Sequence, residues 1–127
     1  MVYTEREVIM DELQELTDRI LAFREERNWA QFHNSKDVAI SLVLEATELL
    51  EHFQWKSPNE VKAHIAEQRD KIGEELADIF YWVLLLSHDL DIDLKATFEA
   101  KMEKNAKKYP VEKSRGSHRK YTEIDHE

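Results

Sequence analysis

Residues 74–86 run Glu74-Glu75-Leu76-Ala77-Asp78-Ile79-Phe80-Tyr81-Trp82-Val83-Leu84-Leu85-Leu86. From Leu76 onward the stretch is apolar on most faces, the pattern of a helix at the centre of a helical core rather than on its surface. Two carboxylates, Glu75 and Asp78, stand where this stretch begins, and burying them is costly unless each finds a partner.

Working outward, Ser57-Pro58-Asn59-Glu60 reads as the start of this helical region. Ser is a cap, Pro suits the first helical position, and Glu three residues after the cap completes a capping box. The region extends to about Leu90, with a break or bend expected near Gly73. Before it, Ser35 is the expected cap of a helix running to about Phe53, with Asp37 in its first turn and Val38, Leu42, Leu49 and Phe53 turned inward. A first helix over about 4–27 carries Ile9, Leu13, Leu16, Ile20 and Phe23 at helical spacing. After the central helix, Asp93 can cap a fourth that turns Leu94, Phe98, Met102 and Ala106 inward and stops at Pro110. The remaining 111–127 have little periodicity and are expected to form an extended arm or a mobile tail. The sum is an all-α chain of four helices, and the apolar surface of the third predicts self-association.

Composition agrees. The chain has 127 residues, enough for one domain, and only two Gly and two Pro, too few for the many turns of an all-β or α/β fold. There is no Cys, so neither a disulfide framework nor a thiolate metal site is available. The longest apolar run, Ile79 to Leu86, falls far short of the roughly 20 residues that span a bilayer. The N-terminus lacks the apolar stretch of a signal peptide, so a soluble cytoplasmic protein with no membrane partner is expected. The net charge of −9 disfavours a nucleic-acid polymer as partner. It leaves room for a phosphate ligand bridged by divalent cations.

The acids are arranged, not merely abundant. Glu45 and Glu48 stand i, i+3 on the second helix, and Glu75 and Asp78 repeat that spacing on the third. Like charges on one helical face repel, and both pairs sit among apolar neighbours. With 27 acidic residues in the chain, a single such pair is usually solvated surface. Two pairs on successive apolar-rich helices point to a cation between them. Four carboxylates without thiolate suit Mg²⁺, for which Mn²⁺ can substitute. A carboxylate-bridged di-iron bundle is disfavoured because it needs Glu-x-x-His, and Glu48 to His52 and Glu60 to His64 are each one residue too long. There is no P-loop and no nucleophile elbow.

Glu45-x-x-Glu48 followed after 26 residues by Glu75-x-x-Asp78 resembles the metal signature of the MazG-like all-α nucleoside triphosphate pyrophosphohydrolases. Further segments place the chain nearest the dCTP pyrophosphatase branch of that superfamily. They are Arg27-Asn28-Trp29-Ala30-Gln31-Phe32-His33, Glu51-His52-Phe53-Gln54-Trp55-Lys56, Lys101-Met102-Glu103-Lys104-Asn105, Tyr109-Pro110 and 117–123. The resemblance covers about residues 20–124.

The resemblance implies a four-helix MazG-like domain over 1–110, a C-terminal tail over 111–127, and assembly as a dimer or tetramer with the pocket partly shared. It implies hydrolysis of a nucleoside triphosphate, dCTP or a modified dCTP, between the α and β phosphates, as nucleotide-pool house-cleaning. Glu45, Glu48, Glu75 and Asp78 would be the metal-binding and catalytic residues, with Glu48 the first choice for a general base. Trp29 and Trp55 would flank the base; on their own residues they read rather as a loop staple and a helix cap. Trp82 either shapes the pocket floor or fills the core. His33 is a loop hydrogen bonder or a ligand contact, and Lys36 a phosphate contact or solvated surface. Lys101 and Asn105, with Tyr109 adjacent, would contact the triphosphate. A shorter link between Trp55 and Glu74, and Ile20 near the base, depart from the dCTP-hydrolysing pattern and leave nucleotide preference open. The reading of another class is a non-enzymatic helical oligomerisation or partner-binding module, which Trp29 and Trp55 around an acidic helix fit poorly.

Overall fold

Capping chemistry sets the boundaries of the helices. In the computed structural model, residues 5–124 are described, with side chains from Glu12 onward, so Ile9 of the first stripe lies outside the described side chains. Five α-helices follow in order: α1 Glu5–Glu26, α2 Ser35–Glu51, α3 Pro58–Asp89, α4 Leu94–Lys108 and α5 Val111–Ser114. There is no strand among the described residues. Among them, too, no helix is long and apolar enough to cross a membrane.

α1 ends at Asn28, whose φ of 52° is left-handed. Its N–H donates to Glu25 O and that of Trp29 to Arg24 O, the paired bonds of a Schellman stop. The hydrophobic contact that accompanies such a stop is Trp29 against Phe23, edge to face at 5.7 Å. α3 stops the same way at Asp91, φ 53°, with Asp91 N–H to His88 O and Ile92 N–H to Ser87 O. The cap of α2 is Asn34, one residue before the expected Ser35. Its side-chain oxygen accepts from the Asp37 N–H and its amide donates to the Asp37 carboxylate, so Asn34 satisfies two groups at once. Ser57 and Glu60 form the expected capping box, and Asp93 caps α4 through the Ala96 N–H.

α3 runs unbroken through Gly73. The departure from helical geometry is at Gln68 (φ −113°, ψ 22°), five residues earlier. A side chain at position 73 would meet open space, so that glycine permits a bend without requiring one.

Two compact units divide between Ile92 and Asp93. In the first, α3 packs along α2 and against α1. Its core is Val38 of α2 with Leu84 and Leu85 of α3; Leu85 is 0% exposed, burial that contributes about 1.5–3 kcal/mol. Leu42, Leu49 and Phe53 are half-buried. Arg24 and Asp89 tie α1 to the last turn of α3.

The second unit holds α4, α5 and a 3-10 turn over Tyr121–Glu123. The expected inward stripe of α4 is corrected: Phe98 is 62% exposed, Met102 and Ala106 are exposed too, and only Leu94 is half-buried. Periodicity marks an apolar face but not what covers it. Within 111–124 the chain turns back toward the end of α4. Gly116 takes a left-handed φ of 75°, Ile124 is buried, and Tyr121 meets Tyr109 edge to face at 6.4 Å beneath the Lys108 ammonium.

Candidate functional site

The i, i+3 spacing on α2 and the packing of α3 along it bring three carboxylates together. Glu45, Glu48 and Glu75 each offer an oxygen within 4.8 Å of the other two. Asp78, one turn beyond Glu75, is outside this group and lines a cleft together with Glu45. The three charges oppose one another. Burial first, then the carboxylates of Glu48 and Asp78, push the Glu45 carboxyl above its usual range. Burial and Glu48 push Glu75 up as well, while His52 draws it partly back.

Two oxygens at this site, Glu45 Oε2 and Glu75 Oε2, are buried without a hydrogen-bond partner among the described residues. Buried carboxylate oxygens left unsatisfied are unfavourable. A hard divalent cation would satisfy both and cancel the repulsion, and the donor set, oxygen only, is the kind such ions prefer. The residues present therefore fit a metal ion.

On one side of the cluster lies an open cleft of about 640 Å³ lined by Leu16, Arg19, Ile20, Phe23, Trp29, Glu45, Ala77, Asp78, Phe80, Tyr81, Trp82 and Leu84. Its aromatic wall is continuous: Phe23 meets Trp29 at 5.7 Å and Tyr81 at 6.3 Å, and Tyr81 meets Trp82 at 5.0 Å, all edge to face. Arg27 lies over the Phe23 ring at 3.6 Å. Burial pushes the Tyr81 hydroxyl up, opposed by Arg24 and Arg27. A separate, smaller pocket of about 360 Å³ is lined by Glu48, Glu51, His52, His64 and Glu75.

Trp29 and Trp82 thus share one cleft with Glu45 and Asp78. His33 meets Trp82 edge to face at 5.6 Å, and its Nδ1 is buried without a partner among the described residues. Trp55 takes a left-handed φ of 66° and is 93% exposed; it is not among the described residues that line the cleft. Lys36 is exposed at the start of α2. Lys101 and Tyr109 are exposed, and Asn105 half-buried, in the second unit.

Sequence reasoning missed the partnership of His52 and His64, and treated Phe23 only as core. Glu48 and His52 stand i, i+4 and share a helical face. That spacing was the signal available for His52; His64 arrives only by tertiary packing.

A profile of the MazG-like family matches residues 40–124, which takes in all four acids and most of the chain. The chain belongs to the MazG-like family. Its curated relatives include dCTP pyrophosphatase 1 of Bos taurus, 40% identical over 82% of this chain and 63% of the relative. The human protein of the same name is 37% identical over 82% of this chain and 62% of its own length. The chain thus spans a little under two thirds of these relatives. Among solved structures, a pyrophosphatase from Archaeoglobus fulgidus superposes with a TM-score of 0.68 at 33% identity, covering 87% of this chain and 96% of that one.

Proposed function

We propose that this MazG-like protein is a Mg²⁺-dependent nucleoside triphosphate pyrophosphohydrolase, with dCTP or a modified dCTP as substrate and the monophosphate and pyrophosphate as products. The observation that carries the reading is the junction at Glu45, where a three-carboxylate cluster with two unsatisfied oxygens borders an aromatic cleft of nucleotide size. The names of the relatives, dCTP pyrophosphatase and pyrophosphatase, point to the same reaction.

Glu45, Glu48 and Glu75 would hold Mg²⁺, or Mn²⁺ in its place, with Asp78 completing the set from the cleft side. Bound there, the cation supplies Lewis-acid polarisation of the phosphoryl oxygens and neutralises charge developing on them. The protein's own residues do the remainder. The carboxylates would hold the cation that receives the triphosphate, with Glu45 and Asp78 marking the end of the cleft where the phosphates would lie. Glu48, the exposed member of the cluster, would accept a proton from an attacking water. Trp29 and Trp82 offer aromatic faces and edges to the base, where stacking contributes about 1–3 kcal/mol. Phe23 and Tyr81 would hold those rings in place through edge-to-face contacts.

Trp55, Lys101, Asn105 and Tyr109 are retained as substrate contacts of this reading, and His33, with its unsatisfied Nδ1, as another. Ile40, Val43 and Leu44, spaced i, i+3, i+4 on α2, are exposed in the single chain, which favours a homo-oligomer as the working form in the cytoplasm.

The test is incubation with a panel of ribo- and deoxynucleoside triphosphates and Mg²⁺, beside Glu48→Gln and an EDTA control. Monophosphate and pyrophosphate, fastest from a cytosine deoxynucleotide and lost in both controls, is the expected result. No turnover of any nucleotide with Mg²⁺ or Mn²⁺ contradicts the reading.

A further inference from the structure

His52 closes α2 and His64 lies in the second turn of α3, and the two rings meet across the turn between the helices. His52 Nδ1 and His64 Nε2 are 2.8 Å apart, a hydrogen bond that requires a proton on one of the two nitrogens. The other nitrogen of His52, Nε2, faces Glu75 Oε1 at 3.7 Å, within charge contact though longer than a direct hydrogen bond. The His52 and Glu75 side chains are 14% and 22% exposed, so bulk water is largely excluded from the pair.

Electrostatics chooses between the two arrangements. If His52 carried its proton on Nδ1, its Nε2 lone pair would point at a carboxylate. If His64 Nε2–H donates to His52 Nδ1, the His52 proton sits on Nε2 and faces that carboxylate, which is favourable. The Nε2–H form of both rings suits both contacts, the hydrogen bond to His52 Nδ1 and the charge contact with Glu75.

We propose that His64 and His52 form a positioning chain for Glu75, in which His64 fixes the tautomer of His52 and His52 holds the Glu75 carboxylate in its metal-binding orientation. The inference rests on the metal-site reading above and adds to it an outer support that the acid signature does not contain. Metal-binding side chains are oriented by partners of this kind, and removing such a partner lowers metal affinity by roughly 10–100-fold. The two histidines line one pocket with Glu48, Glu51 and Glu75, so the support adjoins the cluster in a pocket distinct from the aromatic cleft. His64 is suited to its part: burial, then Lys56 and His52, lower its pKa and keep it neutral.

Mn²⁺ binding by the intact chain, read by electron paramagnetic resonance without nucleotide, separates this from the underlying reading. Wild-type chain that binds no Mn²⁺ overturns the metal reading and this inference together. With wild-type binding established, His52→Leu is expected to weaken Mn²⁺ binding by roughly 10–100-fold. His52→Gln, which keeps a donor near the position of Nε2, is expected to recover most of that loss. His64→Leu is expected to weaken binding less, and the double variant no more than His52→Leu alone, because His64 acts only through His52. ¹⁵N spectra should show protons on Nε2 of both rings. Unchanged affinity in a folded His52→Leu protein overturns the inference, as does full additivity of the two substitutions. Loss of a separate second Mn²⁺ equivalent in His64→Leu overturns it too, since the pair would then be a metal site itself.

Discussion

Arg24 of α1 grips Asp89 of α3 through both carboxylate oxygens, at 2.8 and 3.0 Å, with the two side chains only 12% and 19% exposed. The neighbouring Phe23 packs on Tyr81 of α3, so one clasp secures both the helix pairing and a wall of the cleft. Paired, charge-assisted bonds of this geometry are about twice as strong as neutral ones. Arg24→Ala is expected to cost about 1.5–3 kcal/mol in urea unfolding. It should also raise KM for nucleotide, because the aromatic wall loses its anchor. The exchange Arg24→Asp with Asp89→Arg should recover part of the stability; equal losses in single and double variants would show that the clasp does not act as a pair.

Asn28 decides where Trp29 points. Its left-handed φ is tolerated by Asn and Gly but costs a β-branched residue about 1–2 kcal/mol. Asn28→Val should therefore lower stability by about that amount and raise KM more than Asn28→Gly, which keeps the turn. Trp29→Ala should weaken nucleotide binding by about 1–3 kcal/mol while leaving Mn²⁺ binding intact. An unchanged nucleotide affinity in Trp29→Ala would remove it from the base-binding wall.

The carboxylate cluster sets stability against binding. With divalent ions chelated, Glu45→Gln and Glu75→Gln each remove one charge from a mutually repelling group, so both variants should melt above the wild-type chain in EDTA. The order should reverse in Mg²⁺, because a ligand that binds only the folded state stabilises it, and the variants lose that gain. Melting curves with and without Mg²⁺ test this; a variant that melts lower in EDTA would mean that the acids are already satisfied within the chain.

The pH dependence follows from the same shifts. The folded-state carboxyls of Glu45 and Glu75 lie above the ordinary 4.5. Between 4.5 and the raised values the folded chain holds protons that the unfolded chain has released. Their stabilising contribution is therefore present at the acid end and is lost as pH rises through the raised values. In EDTA, the deficit of the wild-type chain against Glu45→Gln should grow as pH rises from 4.5 toward neutrality. Mn²⁺ affinity should run the opposite way, weakening as pH falls through that window, since the ion and the proton compete for the same oxygens. Glu60 has the reverse sign: hydrogen bonds from Ser57 lower its pKa, and its contribution is lost as pH falls below 4.5.

Features governed by nearby residues were legible in the sequence. Ser57 to Glu60 and Asp93 act within one turn of themselves, so the starts of α3 and α4 could be read directly. The acids were legible because i, i+3 spacing fixes a helical face regardless of tertiary structure. Helix ends were harder. Asn28 and Asp91 stop their helices by left-handed conformations that residue type allows but does not dictate, and Gln68 bends α3 where Gly73 was expected to. Asn34 displaced Ser35 as a cap because its amide can also donate to Asp37. The His52–His64 pair, joined across a helix–turn–helix, belongs to packing and has no local signature. Nor does an apolar stripe reveal its covering, and for that reason Phe98 and Met102 were expected inward and are found exposed.

The most direct test is hydrolysis of dCTP with Mg²⁺ in ¹⁸O-labelled water, with the products resolved by mass spectrometry. The account predicts dCMP carrying one ¹⁸O and unlabelled pyrophosphate, as required by attack of water on the α phosphorus beside Glu45, Glu48 and Glu75. Label in the pyrophosphate, or release of dCDP and inorganic phosphate, would contradict it.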